Sequence, residues 1–279
     1  MSVRYVREAI VGSHDVAAAV RFHREAVDLT VLDEPVADGE ALLGVPGAPG
    51  GRLRLTPVGP ADAGWEPPAV WDLGGRLLGI YSHDLDRTAA AMAAAGGAPR
   101  RPVSYPYGTA TLSELVGRGP DGVWWTIPLA VPGAHRPSAA YAADPDRLHS
   151  ELHSAVLVVA AADHDAAVAL FTAAGLTAAF DGTMAGAPFD ELVGMPAEAS
   201  LRLTFLMGPA QEPARLEIMS FEGVPVRDRS TDRAGLRRLV FAADDPRASY
   251  DALVAAGATP VTADVVRGPV GVEIQVTAA

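Results

Sequence analysis

One pattern constrains this chain more than any other. An apolar strand-like run, an Asp-containing turn, an alanine-rich helical run and a stopping glycine follow one another, and the set is met four times. "SHDV" at 13–16 leads into "VAAAVRFHREAVDL", and "SHDL" at 82–85 leads into "DRTAAAMAAAGG". "VVAAADHDAAVALFTAAGL" and "LVFAADDPRASYDALVAAGA" carry the same order around Asp163 to Asp165 and around Asp245. Aspartate before a helical run accepts the free N–H groups of the first turn, and glycine after it takes the backbone out of the helix. The repeated Ser-His-Asp therefore marks a fold. Three consecutive residues point in divergent directions, whereas a proton-relay triad is assembled from distant segments, so His14 and His83 are assigned no catalytic role.

A second duplication runs above the first. "LRLT" at 53–56 returns at 201–204, displaced by 148, and "RGPDGVWWTI" at 118–127 returns as "RGPVGVEIQV" at 267–276, displaced by 149. The modules fall near 1–73, 74–130, 148–226 and 233–279, with "VPGAHRPSAAYAADPDR" between the halves as a Pro- and Ala-rich linker, 131–147. The expected domains are 1–130 and 148–279, each a pair of consecutive modules. Asp84 and Asp245 are 161 residues apart and the RGP motifs 149, so module four is 12 residues shorter than module two. The missing stretch corresponds to "SYPYGTATLSEL", which reads as a hairpin.

Composition removes several chemistries. There is no cysteine, lysine or asparagine, so disulfides, thiolate chemistry and lysine Schiff bases are excluded. A net charge of −12 with dispersed arginines argues against nucleic acid as a partner. "MSVRYVREAIV" lacks the pattern of a secretory signal, and "AVLVVAAA" at 155–162 is too short to span a bilayer, so a cytoplasmic protein away from membranes is expected. Heavy use of Ala, Gly, Arg and Pro without Lys or Asn fits a GC-rich genome such as an actinomycete's, and with it specialised metabolism.

Strand, capped helix and three further strands, repeated in pairs, resembles the vicinal oxygen chelate superfamily, which includes glyoxalase I, bleomycin-resistance proteins and extradiol dioxygenases. "DVAAAVRFHREAVDLTV" is similar to its first helix and "RGPDGVWWTI" to its turn before the last strand. The resemblance implies an α+β fold of four βαβββ-type modules paired into two cup-shaped domains, with module four shortened. It also implies a site inside a cup, where first and last strands supply His and Glu to a divalent metal.

Carried over position by position, the first-strand ligand falls at Glu8, Leu77, Val156 and Arg238, with His153 as the alternative in module three. The last-strand positions fall at Asp72, Thr126, Glu217 and Gln275, with Trp124 and Glu273 on the same faces. Leucine cannot bind a metal and arginine repels one, and a guanidinium at 238 would neutralise Glu217. The expected protein is metal-independent and binds a small, aromatic or polyketide-like molecule, as a monomer. It either catalyses an acid–base step (cyclisation, isomerisation or dehydration) or sequesters the compound as a resistance protein does. Glu8, Asp72, Glu217 and Arg238 are the candidate catalytic residues, and Tyr105, Tyr107, Trp124, Thr126, His153, Glu273 and Gln275 the candidate ligand-binding ones. The alternative is a lyase or oxygenase using Fe, Mn, Ni or Zn at His153, Glu217 and Glu273.

Overall fold

The structure, a computed structural model, describes residues 3–107, 110–131, 137–208 and 214–279; of Tyr107 the backbone alone is described. Module one is built of β1 (Val3–Ser13), α1 (Val16–Val27), β2 (Thr30–Val31), β3 (Ala41–Gly44) and β4 (Arg52–Pro57). Module two has β5 (Gly74–Gly79), α2 (Leu85–Ala94), β6 (Ala98–Pro99), β7 (Val103–Tyr107), β8 (Ala110–Arg118) and β9 (Trp124–Pro128). A short helix, α3 (Ala139–Ala143), lies in the connection. Module three contains β10 (Ser154–Val159), α4 (His164–Ala173), β11 (Thr177–Ala185), α5 (Phe189–Val193), β12 (Ser200–Met207) and β13 (Arg215–Glu222). Module four contains β14 (Gly235–Ala243), α6 (Pro246–Ala255), β15 (Thr259–Pro260), β16 (Val265–Arg267) and β17 (Glu273–Ala278). Among the described residues no helix is long and apolar enough to cross a membrane.

In every module the first strand pairs in parallel with the last, β1 with β4, β5 with β9, β10 with β13 and β14 with β17. The first strands then join modules, and here the expected pairing is corrected. β1 runs antiparallel to β14 and β5 antiparallel to β10, so the ladders unite module one with four and module two with three. Modules one and four form an outer cup, modules two and three an inner cup. The two meet where Leu236 pairs with Gly75, and a Cβ on Gly75 would stand 2.6 Å from the Leu236 carbonyl oxygen, so only glycine allows that approach.

The "LRLT" match is also corrected. Residues 53–56 lie on β4, the last strand of module one, whereas 201–204 lie on β12, the third strand of module three. Alternating Leu and a polar residue suits any half-buried strand, so the identity reports a shared period and not a shared position. The RGP repeat does mark equivalent sites: Asp121 and Val270 both take a left-handed conformation in the turn before β9 and β17. Module four is shortened as expected, for β15–β16 reproduces the β6–β8 pairing and has no counterpart of β7.

Strand alternation splits the buried residues between two cores. Ala155, Leu157 and Val159 of β10 join Leu216 and Ile218 of β13 in a helix-side cluster that also holds Phe22, Trp125 and Phe241. Val156 and Val158 turn the other way, into the inner cup. That double burial is why β10 is apolar from Ala155 to Val159. The capping reading holds for three helices, with Asp15, Asp84 and Asp245 accepting from the N–H groups of Ala18, Arg87 and Ala248 at 2.9–3.0 Å. Asp163 makes no such bond, and a single 3-10 turn precedes α4 instead. Asp245→Ala is expected to cost about 1 kcal/mol in urea unfolding, and Asp163→Ala less than about 0.5 kcal/mol.

Candidate functional site

The outer cup is open. Its cavity, about 500 Å³, is lined by Glu8 and Ile10 of β1, Arg54 and Thr56 of β4, Arg237, Arg238 and Val240 of β14, Glu273 and Gln275 of β17, and Glu40. Arg54 donates from Nε to Glu8 at 2.6 Å and from a terminal nitrogen to the other Glu8 oxygen at 3.3 Å, and it also reaches Glu40 at 3.3 Å. Glu8 and Glu40 hold the Arg54 guanidinium above its usual pKa against the cost of burial, the Glu8 hydrogen bond being the largest effect. Arg238 donates twice to Glu273, at 2.9 and 2.5 Å, and Arg267 approaches the other Glu273 oxygen at 3.7 Å. Gln275 donates to Asp264 at 2.8 Å. In register across β4, β1, β14 and β17 the cup presents Arg54, Ile10, Arg238 and Glu273, with Glu8 two residues from Ile10 on the same face of β1, opposite Val240.

The corresponding strands of the inner cup, β9, β5, β10 and β13, present Trp124, Leu77, Val156 and Glu217, and this cup is filled. Val103, Val116, Leu201, Leu203, Met219 and Phe221 pack with them, and Tyr105, Phe180, Phe189 and Phe205 close the cluster. Its polar groups are satisfied from within. Arg215 donates to Glu217 at 2.8 Å and lies 3.9 Å over the Phe205 ring. Tyr105 donates to Glu114 at 2.5 Å, and Thr126 donates to the other Glu114 oxygen. Burial pushes the Glu114 carboxyl up, opposed by those two hydroxyls. The inner cup is closed by the β7–β8 hairpin and the long β11–β12 pair. Module four lacks that hairpin, and the space it leaves is the outer cavity.

The sequence-predicted residues accordingly separate. Glu8, Arg238, Glu273 and Gln275 line the outer cavity, while Glu217, Trp124, Thr126 and Tyr105 belong to the inner cup. Arg238 does not neutralise Glu217, since the two lie in different cups and each has its own partner. Asp72 is not on a last strand at all. It sits in the connection before β5, accepting from the backbone N–H groups of Ala69 and Arg227 at 2.8 and 3.0 Å. His153 lies just before β10 and stacks on Tyr81 with ring centroids 4.0 Å apart, its ring 3.1 Å from where a Cβ on Gly79 would stand. The Trp124 indole donates to the Pro68 carbonyl at 3.0 Å, with Arg100 and Arg118 against its ring, so it has no open face for a ligand. The side chain of Tyr107 lies outside the described residues.

Arg54, Glu40 and Arg237 were missed from the sequence. The alternation of "RLRLT" turns Arg52 and Arg54 away from Leu53 and Leu55, which would have found Arg54 had β4 been recognised as a last strand. His14 and His83 bond through Nδ1 to the carbonyls of Gly59 and Arg147, away from both cups.

The residues that wall the outer cup fit a divalent metal poorly. The alternative set His153, Glu217 and Glu273 is split, since Glu273 lines the outer cavity while Glu217 is held by Arg215 in the inner cup. In the outer cup both candidate carboxylates are engaged by guanidinium donors and no imidazole faces them, a poor donor set for Fe, Mn, Ni or Zn. Among the described residues no group of three His, Asp or Glu side chains converges on a possible ion position.

No protein-family model matches the sequence, and no curated protein does. Solved structures do resemble it. Glyoxalase I from Zea mays superposes with a TM-score of 0.64 over 99% of this chain and 92% of that one, at 16% identity. A putative dioxygenase from Bacillus subtilis gives 0.61 over 99% of this chain and 85% of that one, at 12% identity. Both comparisons run through all four modules. The chain has the vicinal oxygen chelate fold, in a two-cup form.

Proposed function

We propose that the outer cup is the ligand site, that it takes a compact polar organic molecule, and that it works without a metal ion. The observation that carries this is the cavity of about 500 Å³ walled by charged side chains of modules one and four. That volume lies within the range of small-molecule sites, and the few convergent polar groups on its rigid strands are what orients a ligand. Of the aromatic candidates, Tyr105 and Trp124 are packed in the other cup, so recognition rests on hydrogen bonds and charge.

The reaction class such walls support is proton transfer within a bound molecule, as in isomerisation, cyclisation or dehydration. A ligand oxyanion that takes over Arg54 or Arg238 releases Glu8 or Glu273, which then stands beside the ligand as a proton acceptor. Binding without turnover is the second reading, favoured because both carboxylates are held by arginine when no ligand intervenes.

Saturation-transfer NMR against a panel of small organic acids, amides and alcohols tests the site. Hits are expected to be lost in Val240→Trp, which fills the cavity, and kept in Trp124→Phe, which alters only the inner cup. Hits that survive Val240→Trp place the ligand elsewhere and overturn the proposal. Stoichiometric metal found by elemental analysis, and lost on Glu8→Ala, would overturn its metal-free half.

A further inference from the structure

Resting on the outer cup as the ligand site, we infer that its ligand is an organic anion and that Arg237 is the side chain that recognises the charge. The β1–β14 ladder pairs Ile10 with Arg238 and then Val11 with Leu236, so Arg237 is the extra residue of a β-bulge. In a regular strand Arg237 and Arg238 would point to opposite faces. Here Leu236 and Leu239 both enter the helix-side core, and both arginines between them line the cavity. Bulges re-aim side chains in this way beside functional sites.

The two arginines differ in what they hold. Arg238 is taken by Glu273, and Arg54 holds both Glu8 and Glu40. Among the described residues Arg237 has neither a hydrogen bond nor an ion pair, although it is half-buried. The cavity wall contains three arginines and three glutamates, but two of the glutamates share one arginine, which leaves Arg237 as the cation without a counter-ion.

Module two supplies the comparison. Its ladder pairs Val156 with Leu77 and then Leu157 with Gly75, so Arg76 is the bulged residue at the equivalent place. Arg76 is buried and folds back on the carbonyl oxygens of Asp72, Leu73 and Gly75. One bulge arginine is thus satisfied by backbone, and the other faces the cavity. The two also wall a small space at the seam between the cups together with Arg229 and Asp232, which pair with each other at 2.8 Å. A half-desolvated guanidinium gains most from an oxyanion, and its planar fork matches a carboxylate or a phosphate. The chain's charge of −12 opposes an approaching anion only weakly, because ions screen charges beyond a Debye length of about 8 Å.

Benzoate, phenyl phosphate, neutral benzamide and cationic benzamidine share one ring and separate these chemistries. Titrated into the full chain, with the arginine Nε–H signals followed by NMR, at least one of the two anions is expected to bind about tenfold or more tightly than benzamide. Whichever of benzoate or phenyl phosphate is tighter tells carboxylate from phosphate. Arg237→Gln is expected to erase the preference, Arg237→Lys to restore part of it, and Arg247→Gln on exposed α6 to leave it unchanged. If benzamide or benzamidine binds as well as the anions, or the preference survives Arg237→Gln, while Val240→Trp still blocks binding, the anion assignment fails and the cup stands. If none of the four binds, or all bind to Val240→Trp, the cup itself is wrong.

Discussion

Replacing Glu217 with alanine is expected to cost about 3–5 kcal/mol, the range for removing one partner of a buried ion pair. In a chain of this size that is a fall in Tm on the order of 10 °C. The physical reason is the arginine left behind. Arg215 and Glu217 have side chains 12% and 4% exposed, and Arg215 is pressed on Phe205, so water cannot replace the lost carboxylate. Replacing both, as Arg215→Met with Glu217→Leu, is expected to recover most of the loss, because the surrounding inner cup is already apolar. Glu8→Ala serves as the contrast. Its partner Arg54 is 23% exposed on the wall of an open cavity and keeps Glu40, so the cost is expected to be about 1–2 kcal/mol. Equal losses for Glu217→Ala and Glu8→Ala in urea unfolding would mean that the inner cup is not dry.

The second large effect is pH-dependent. His23 lies on the buried face of α1 between Phe22 and Trp125, its Nδ1 2.6 Å from the Ala19 carbonyl, and desolvation lowers its pKa to about 4. Its ordinary value is 6.5. Above that value neither folded nor unfolded chain protonates it and stability is unaffected. Between 6.5 and about 4 the unfolded chain takes up a proton that the folded one refuses, so stability falls with pH, reaching a loss of about 3 kcal/mol below 4. Carboxylates titrate in the same window, so the measurement is a difference: urea midpoints from pH 7.5 to 4 for the wild type and for His23→Leu. The wild type is expected to lose about 3 kcal/mol more. Parallel curves would show that the imidazole is reached by water in the folded state.

Much of the architecture could be read from local signals. Asp15, Asp84 and Asp245 announced three helix starts, and the two RGP turns announced the strands that follow them. The pairing of modules could not be read, because it is decided by the β1–β14 ladder, formed between segments at opposite ends of the chain. Without it, Arg238 was set beside Glu217, and Asp72 was placed on a strand that ends at Pro57. Glu8, Glu273 and Gln275 were legible because first and last strands keep their alternation. Arg237 was not, because a bulge breaks the period on which such reading depends. The 12-residue deficit of module four held the information about which cup is open, since a missing hairpin means a missing plug.

The row of Arg54, Ile10, Arg238 and Glu273, with Glu8 beside Ile10 on β1, makes the outer cup unlike at its two ends. Two identical modules related by a true dyad would place like charges side by side at the centre of the cup and identical groups at its two rims. Here the neighbouring first strands carry opposite charges, and one rim ends in a guanidinium while the other ends in a carboxylate. A molecule lying along the row meets a head and a tail. The duplicated scaffold has become a polar one, with a cation at one end of the row and an anion at the other.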